Sequence, residues 1–262
     1  MRDAYLARGH TLSDLGLQVP LAKSKLSELL RGLGHYPRWE IVSRLATLLG
    51  LPHSPLYRLW RQAALEAHKK REWVQRSTDN TTAVTTSPAA PPLDHRAFCE
   101  LVQDDYLLYS QAFLVDDEAC HNAVFDTFDI LWLSWNDALA SPDTRRHAWA
   151  VLRRTVMSRT PHIDGRPVFS QTAFDTVALT YLTDEEARAR HLTETLALLR
   201  AMSWLPATQL DVITLRILWR MPIERVSELL GLAPPLVRSN QRHAQHYLMS
   251  ALYPPENEGT PS

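Results

Sequence analysis

The period of the apolar residues constrains this chain more than any other feature. Almost everywhere they recur three or four positions apart, and no convincing run alternates apolar with polar as a half-buried strand would. Leu12, Leu15 and Val19 share one helical face, and Leu26, Leu29 and Leu30 share the next. Near the other end, Ile223, Val226, Leu229 and Leu230 form one stripe, and Val237, Ala244 and Leu248 form a second. The expected fold class is all-α: several small helical domains, two with a helix-turn-helix motif, joined by a flexible linker.

Composition sets the boundaries. The stretch "STDNTTAVTTSPAAPP" (Ser77 to Pro92) holds much Thr, Ala and Pro, little charge and no aromatics. It cannot bury enough apolar surface to offset its ordering entropy, so it reads as a flexible linker. The expected order is a basic domain over residues 1–76, a disordered linker over 77–93 and a helical domain over 94–160. A connector over 161–187, a second helical domain over 188–252 and a disordered tail over 253–262 follow. "TPHIDGRP" (Thr160 to Pro167) is read as the break after the middle domain, where Pro and Gly stop a helix. No apolar run approaches the roughly 18 residues of a membrane span, and the first residues are too charged for a signal peptide. Cys99 and Cys120 form no CxxC pair and are expected to be reduced core thiols of a cytoplasmic protein.

The net charge of −1 conceals a strong segregation. Residues 1–76 carry 13 Lys and Arg against 6 Asp and Glu, a local +7. Residues 94–135 carry one base, Arg96, against nine acids, a local −8. Residues 188–252 carry eight Arg against four acids, a local +4. A polyanion would meet an attractive field at both ends and repulsion between them.

At the N-terminal end, Arg2 to Arg8 is expected to form a short first helix. Thr11 and Asp14 are spaced to cap the second, the hydroxyl accepting an amide and the carboxylate complementing the helix dipole. Val19-Pro20 makes a turn, and Arg38 to Leu49 forms a further helix that buries Ile41 or Val42, Leu45, Leu48 and Leu49 and ends at Gly50. Pro55 to Glu72 reads as one long amphipathic helix. Over residues 2–50 the pattern Gly9, Leu15, Ser24, Leu26, Ser27, Leu29, Gly32, Pro37 and Leu49-Gly50 resembles the Cro/repressor (XRE) helix-turn-helix family. The resemblance implies a recognition helix over Lys23 to Arg31, with Lys23, Ser24, Lys25, Ser27 and Glu28 facing double-stranded DNA. Two positions depart from the pattern: Leu12 stands where relatives have Gln, and Ala22 offers no hydroxyl cap.

The segment Leu205 to Leu248 carries Leu205-Pro206, Gln209, Val212, Leu215-Arg216, Glu228, Val237, Arg238, Ser239, Arg242 and Ala244 in an order similar to the fourth domain of extracytoplasmic-function (ECF) sigma factors. The resemblance implies that Leu236, Arg238, Ser239 and Arg242 face promoter DNA. Pro234-Pro235 replace acidic or Gly residues at the helix start, which a first turn tolerates. Upstream, "AVFDTFDILWLSW" (Ala123, Val124, Asp126, Thr127, Phe128, Trp132) and "RRHAWAVLRRTVMSR" (Trp149, Leu152, Arg153, Arg154) resemble the second sigma domain. That likeness implies contacts from Asp126, Phe128 and Trp132 to the β′ clamp helices of core RNA polymerase, and from Arg153 and Arg154 to DNA. Phe125, His121, Asn122 and Thr155 depart from the family pattern at these contacts.

No nucleophile, phosphate loop or metal spacing points to catalysis. Asp104-Asp105 and Asp116-Asp117-Glu118 read as a solvated acidic face, and His243 with His246 lack a third ligand. The expectation is a non-enzymatic bacterial transcription regulator with no cofactor and no metal, acting at promoters. Two alternatives remain open: an active ECF-like sigma factor that binds core polymerase, and a protein-interaction decoy for an anti-sigma factor.

Overall fold

A computed structural model describes residues 5–6, 9, 11–34, 36–79, 90–178 and 185–253, with backbone only at 79 and 185–190. The fold is all-α, with one two-residue hairpin as its strand content among the described residues. No helix there is long and apolar enough to cross a membrane. Cα packing divides the chain into two compact units, Met1–Arg96 with Phe128–Trp135, and Ala97–Thr127 with Asn136–Ser262. Most of the expected Arg2 to Arg8 helix, the centre of the linker (80–89) and the tail from 254 lie outside the described residues.

Unit one is built on α1 (Leu12–Gln18), α2 (Lys23–Leu30), α3 (Trp39–Leu48), α4 (His53–Glu66) and α5 (Arg71–Asp79). The capping box forms as the spacing requires: Asp14 N donates to Thr11 Oγ1 at 3.2 Å and Thr11 N to Asp14 Oδ2 at 2.9 Å. Helix α3 is the keystone because it is apolar on two sides. Leu45 joins Leu15, Val19 and Leu26 in one cluster, while Trp39 and Val42 join Trp60, Ala64 and Val74 in another. Val42, not Ile41, is the deeply buried member of that pair.

The single helix expected over Pro55 to Glu72 is broken. His68 adopts a left-handed φ of 56°, and Lys69 N donates to Ala64 O at 3.0 Å, closing a Schellman-type end without a glycine. The cost of that φ is offset by folding α5 back, so that Trp73 stacks on Trp60 (centroids 6.0 Å) and Val74 is buried. Helix α5 also runs through Ser77–Asp79, which composition assigns to the linker. Trp60 lies inside this aromatic cluster, with Nε1 donating to Pro37 O at 2.9 Å.

Unit two holds most of α6 (Leu93–Gln111) and α7 (Asp117–Leu133), then α8 (Trp135–Ala140) and α9 (Thr144–Arg159). It continues through α10 (Gln171–Ala178), α11 (Glu185–Ser203), α12 (Ala207–Ile213), a π turn (Thr214–Leu218), α13 (Ile223–Leu230) and α14 (Pro234–Leu252). Tyr106, Tyr109, Phe113, Leu152, Met202, Leu210 and Ile213 fill its core. The segment Thr160 to Pro167 is more than a break. β1 (His162–Ile163) pairs with β2 (Arg166–Pro167), and Asp164 and Gly165 turn with φ of 51° and 72°. Two positive φ angles in a two-residue Asp-Gly loop suit a type I′ hairpin.

Candidate nucleic-acid interfaces

Helix α2 turns Leu26 inward against Leu15, Val19 and Leu45, which places Lys23, Ser24 and Lys25 on the exposed first turn. Its N-cap, Ala22, makes no side-chain hydrogen bond, so no capping group covers the first-turn amides. Free amides and the helix dipole favour an anion here. Lys23 has no carboxylate partner among the described residues. Lys25 Nζ lies 2.8 Å from Glu28 Oε2 in an exposed in-helix pair, worth well under about 1 kcal/mol and therefore easily exchanged for a phosphate. Ser27 and Glu28 sit further back and are half-buried, and the Ser27 carbonyl accepts from Arg31 Nε at 3.2 Å.

The second candidate face is on α14. Gly231 ends α13 with φ 60°, and its Cα packs so closely on the start of α9 that a Cβ would lie 2.6 Å from Asp143 Oδ1 and 2.7 Å from Arg146 N. Only glycine fits that turn. Pro234 and Pro235 occupy the first turn of α14 behind Ala233. Val237, Ala244 and Leu248 are buried along one face, so Leu236 (53% exposed), Arg238 and Arg242 stand on the other, with Ser239 half-buried. Neither Arg238 nor Arg242 has a carboxylate partner among the described residues. Arg216 braces the helix from behind, its Nε donating to Gln241 Oε1 at 3.1 Å and its Nη1 to the Met221 carbonyl.

The residues linked by resemblance to the polymerase are placed differently. Asp126 is buried in unit two and ion-paired with Arg159 Nη2. Phe128 is buried in unit one, where His95 Nε2 donates to its carbonyl at 3.1 Å. A carbonyl can only accept, so a neutral His95 carries its proton on Nε2; burial lowers the His95 pKa from its ordinary value. Trp132 is half-buried under the Arg58 guanidinium (5.9 Å), and Arg58 Nε donates to Asp129 Oδ2 at 2.7 Å. Asp126 and Phe128 thus form internal contacts rather than an exposed docking edge. Their helix buries both of its faces, which is why an acid at its centre needs a partner.

Arg153 is also engaged. Its Nε donates to Asp211 Oδ1 at 3.0 Å, while Arg154 on the neighbouring position is exposed. Asp211, 3% exposed, further accepts from Tyr109 Oη at 2.7 Å and from Trp149 Nε1 at 2.9 Å. Complete burial pushes the Asp211 carboxyl up from its ordinary value, and the three donors work against that rise. Burial also drives the Tyr109 hydroxyl well above its usual range. Both Asp211 carboxylate oxygens are hydrogen-bonded, and the cluster ties α6, α9 and α12 together. Nothing in the periodic reading found it. The signal was a single acid, Asp211, flanked by Leu210, Val212 and Ile213.

Of the acidic runs, Asp104 and Asp116 to Glu118 are exposed, and Asp116 Oδ1 caps α7 by accepting from Ala119 N at 2.7 Å. Asp105 departs from the solvated-face expectation: it pairs with Arg225 of α13, whose Nε lies 2.7 Å from Oδ2. His243 and His246 are exposed, and no cluster of three or more His, Cys, Asp or Glu suited to a metal occurs among the described residues. Cys99 and Cys120 are free thiols, and burial pushes Cys120 up to about 11.

No family model matches this chain, nor does any curated protein or solved structure.

Proposed function

We propose that the chain is a DNA-binding regulator of bacterial transcription that reads duplex DNA with α2 of unit one and α14 of unit two. One observation carries the reading: Arg238 and Arg242 stand one helical turn apart, exposed and, among the described residues, without acidic partners, on a helix whose opposite face is fixed by Val237, Ala244 and Leu248. Two guanidiniums held at that spacing suit the O6 and N7 edges of guanine or a run of phosphates. The exposed Lys23, Ser24 and Lys25, in a domain of local charge +7, support a second contact. Linking two readers raises the effective concentration of each on adjacent sites.

The alternative reading, an active sigma factor, has less support. Asp126 and Phe128 are buried and Arg153 is tied to Asp211, so three of the residues that reading requires are occupied inside the fold. The decoy reading would leave Arg238 and Arg242 without a polyanion to meet.

Incubation of the full chain with sheared genomic DNA, followed by recovery and sequencing, tests the proposal. Enrichment of a restricted set of fragments is expected; no retention, or uniform retention, would overturn sequence-specific regulation. A pull-down with core RNA polymerase and run-off transcription then separates the readings, since binding with initiation would establish a sigma factor.

A further inference from the structure

We propose that the cavity of unit two bounded by the β1–β2 hairpin, α10 and α11 binds a small amphipathic organic anion, a flat apolar body bearing one carboxylate. The cavity measures about 530 Å³, within the roughly 300–1,000 Å³ of small-molecule sites. Its wall is largely apolar, with Phe169, Phe174, Leu196 and Trp204, and two cations, Arg166 and Arg200, complete it. Trp204 is 56% exposed, an unusual state for so large an apolar ring unless something covers it.

The cations define the charge of the occupant. The Arg166 guanidinium lies over the Trp204 indole, 4.3 Å from its centroid. Stacking uses the face of the guanidinium and leaves its N–H edges open, the geometry that receives a carboxylate in a bidentate fork. Among the described residues neither Arg166 nor Arg200 has an ion-pair partner, although Asp164 lies on the same wall. Two guanidiniums with no ion-pair partner among the described residues, beside an aromatic slot and against the single Asp164 carboxylate, favour an aromatic acid and disfavour a cation. The hairpin that carries Arg166 exists because Asp164-Gly165 can take its turn, so the site is built by the one strand pair found among the described residues.

The proposal is independent of DNA binding and is tested without DNA. Naphthalene-1-acetate and its neutral counterpart naphthalene-1-methanol are titrated into the full chain by calorimetry and saturation-transfer NMR. The acid is expected to bind saturably, and the alcohol about tenfold more weakly or worse, the loss of a charge-assisted hydrogen bond. Arg166→Gln and Trp204→Ala should each weaken the acid about tenfold, with Arg145→Gln on α9 as a surface control that leaves it unchanged. Both altered side chains reach solvent, and circular dichroism verifies the fold of each variant. No saturable binding of the acid, equal binding of acid and alcohol, or parental affinity in both variants would overturn the site.

Discussion

Helices α2 and α14, both proposed to meet DNA, are supported in different ways. Helix α2 spans Lys23–Leu30, contributes one fully buried residue, Leu26, and sits in the most basic part of the chain. Helix α14 spans Pro234–Leu252, is anchored by Val237, Ala244 and Leu248, and lies behind a turn pressed against α9. The first has the stronger electrostatic field and the second the firmer mounting. Field sets encounter rate and non-specific affinity, whereas a fixed mounting lets side chains discriminate between base edges. On the proposed DNA-binding reading, attraction falls mainly to the N-terminal face and selectivity mainly to the C-terminal one.

The largest effect that could break this contrast is loss of the mounting. Asp211→Ala leaves the Arg153 guanidinium, the Trp149 indole N–H and the Tyr109 hydroxyl unpaired in the core. Unfolding by urea should show a loss of about 3–5 kcal/mol; a loss below about 1 kcal/mol would mean the cluster does not hold unit two together.

The two turns sharpen the comparison next. Gly231 and Gly32 both have positive φ, but a Cβ at Gly231 meets Asp143 and the Arg146 backbone below 3 Å, while one at Gly32 meets nothing within 4 Å. Gly32→Ala should cost only the left-handed strain, about 1–2 kcal/mol, and Gly231→Ala clearly more, about 3 kcal/mol or above. Equal midpoints for the two variants would deny that the C-terminal turn is more tightly mounted.

Binding measurements should then divide along the same line. Arg238→Ala and Arg242→Ala are each expected to cost about 1–3 kcal/mol on the selected fragment and far less on unrelated DNA. Lys23→Ala and Lys25→Ala should weaken both DNAs alike and reduce the salt slope by about 0.9 per lost phosphate contact. Reversal of that pattern would exchange the roles of the two helices.

The smallest expected difference is in acid response. Burial lowers the pKa of His95 below its unfolded value, so unit one is favoured while that ring is neutral. The contribution is intact above about pH 6.5 and declines as pH falls below it. His95→Gln should flatten that decline in a thermal melt series from pH 7.5 to about 5.

Local chemistry was legible and long-range pairing was not. The Thr11–Asp14 capping box, the left-handed Gly50 and the buried stripe of α14 depend on neighbours within one or two turns, so spacing alone locates them. The end of α4 carries no glycine signal, because His68 takes the left-handed position, and the aromatic cluster explains why. Two residues per strand give no alternation to read, so periodicity does not reveal the hairpin, although Asp164-Gly165 carry the turn signal. Exposure along α14 follows from its period, but the occupation of Arg153 and Asp126 does not. Their partners, Asp211 and Arg159, lie 58 and 33 positions away in the chain.

The proposed function requires that this chain hold duplex DNA through cationic side chains at both ends. Its most direct test is the affinity of the full chain for one selected duplex as salt is raised. Log K should fall linearly with log salt, by about 0.9 per phosphate engaged, and the slope should shrink when Lys23, Lys25, Arg238 and Arg242 are all replaced by Ala. Absence of binding at low salt, or a slope that salt and these four substitutions leave unchanged, would contradict it.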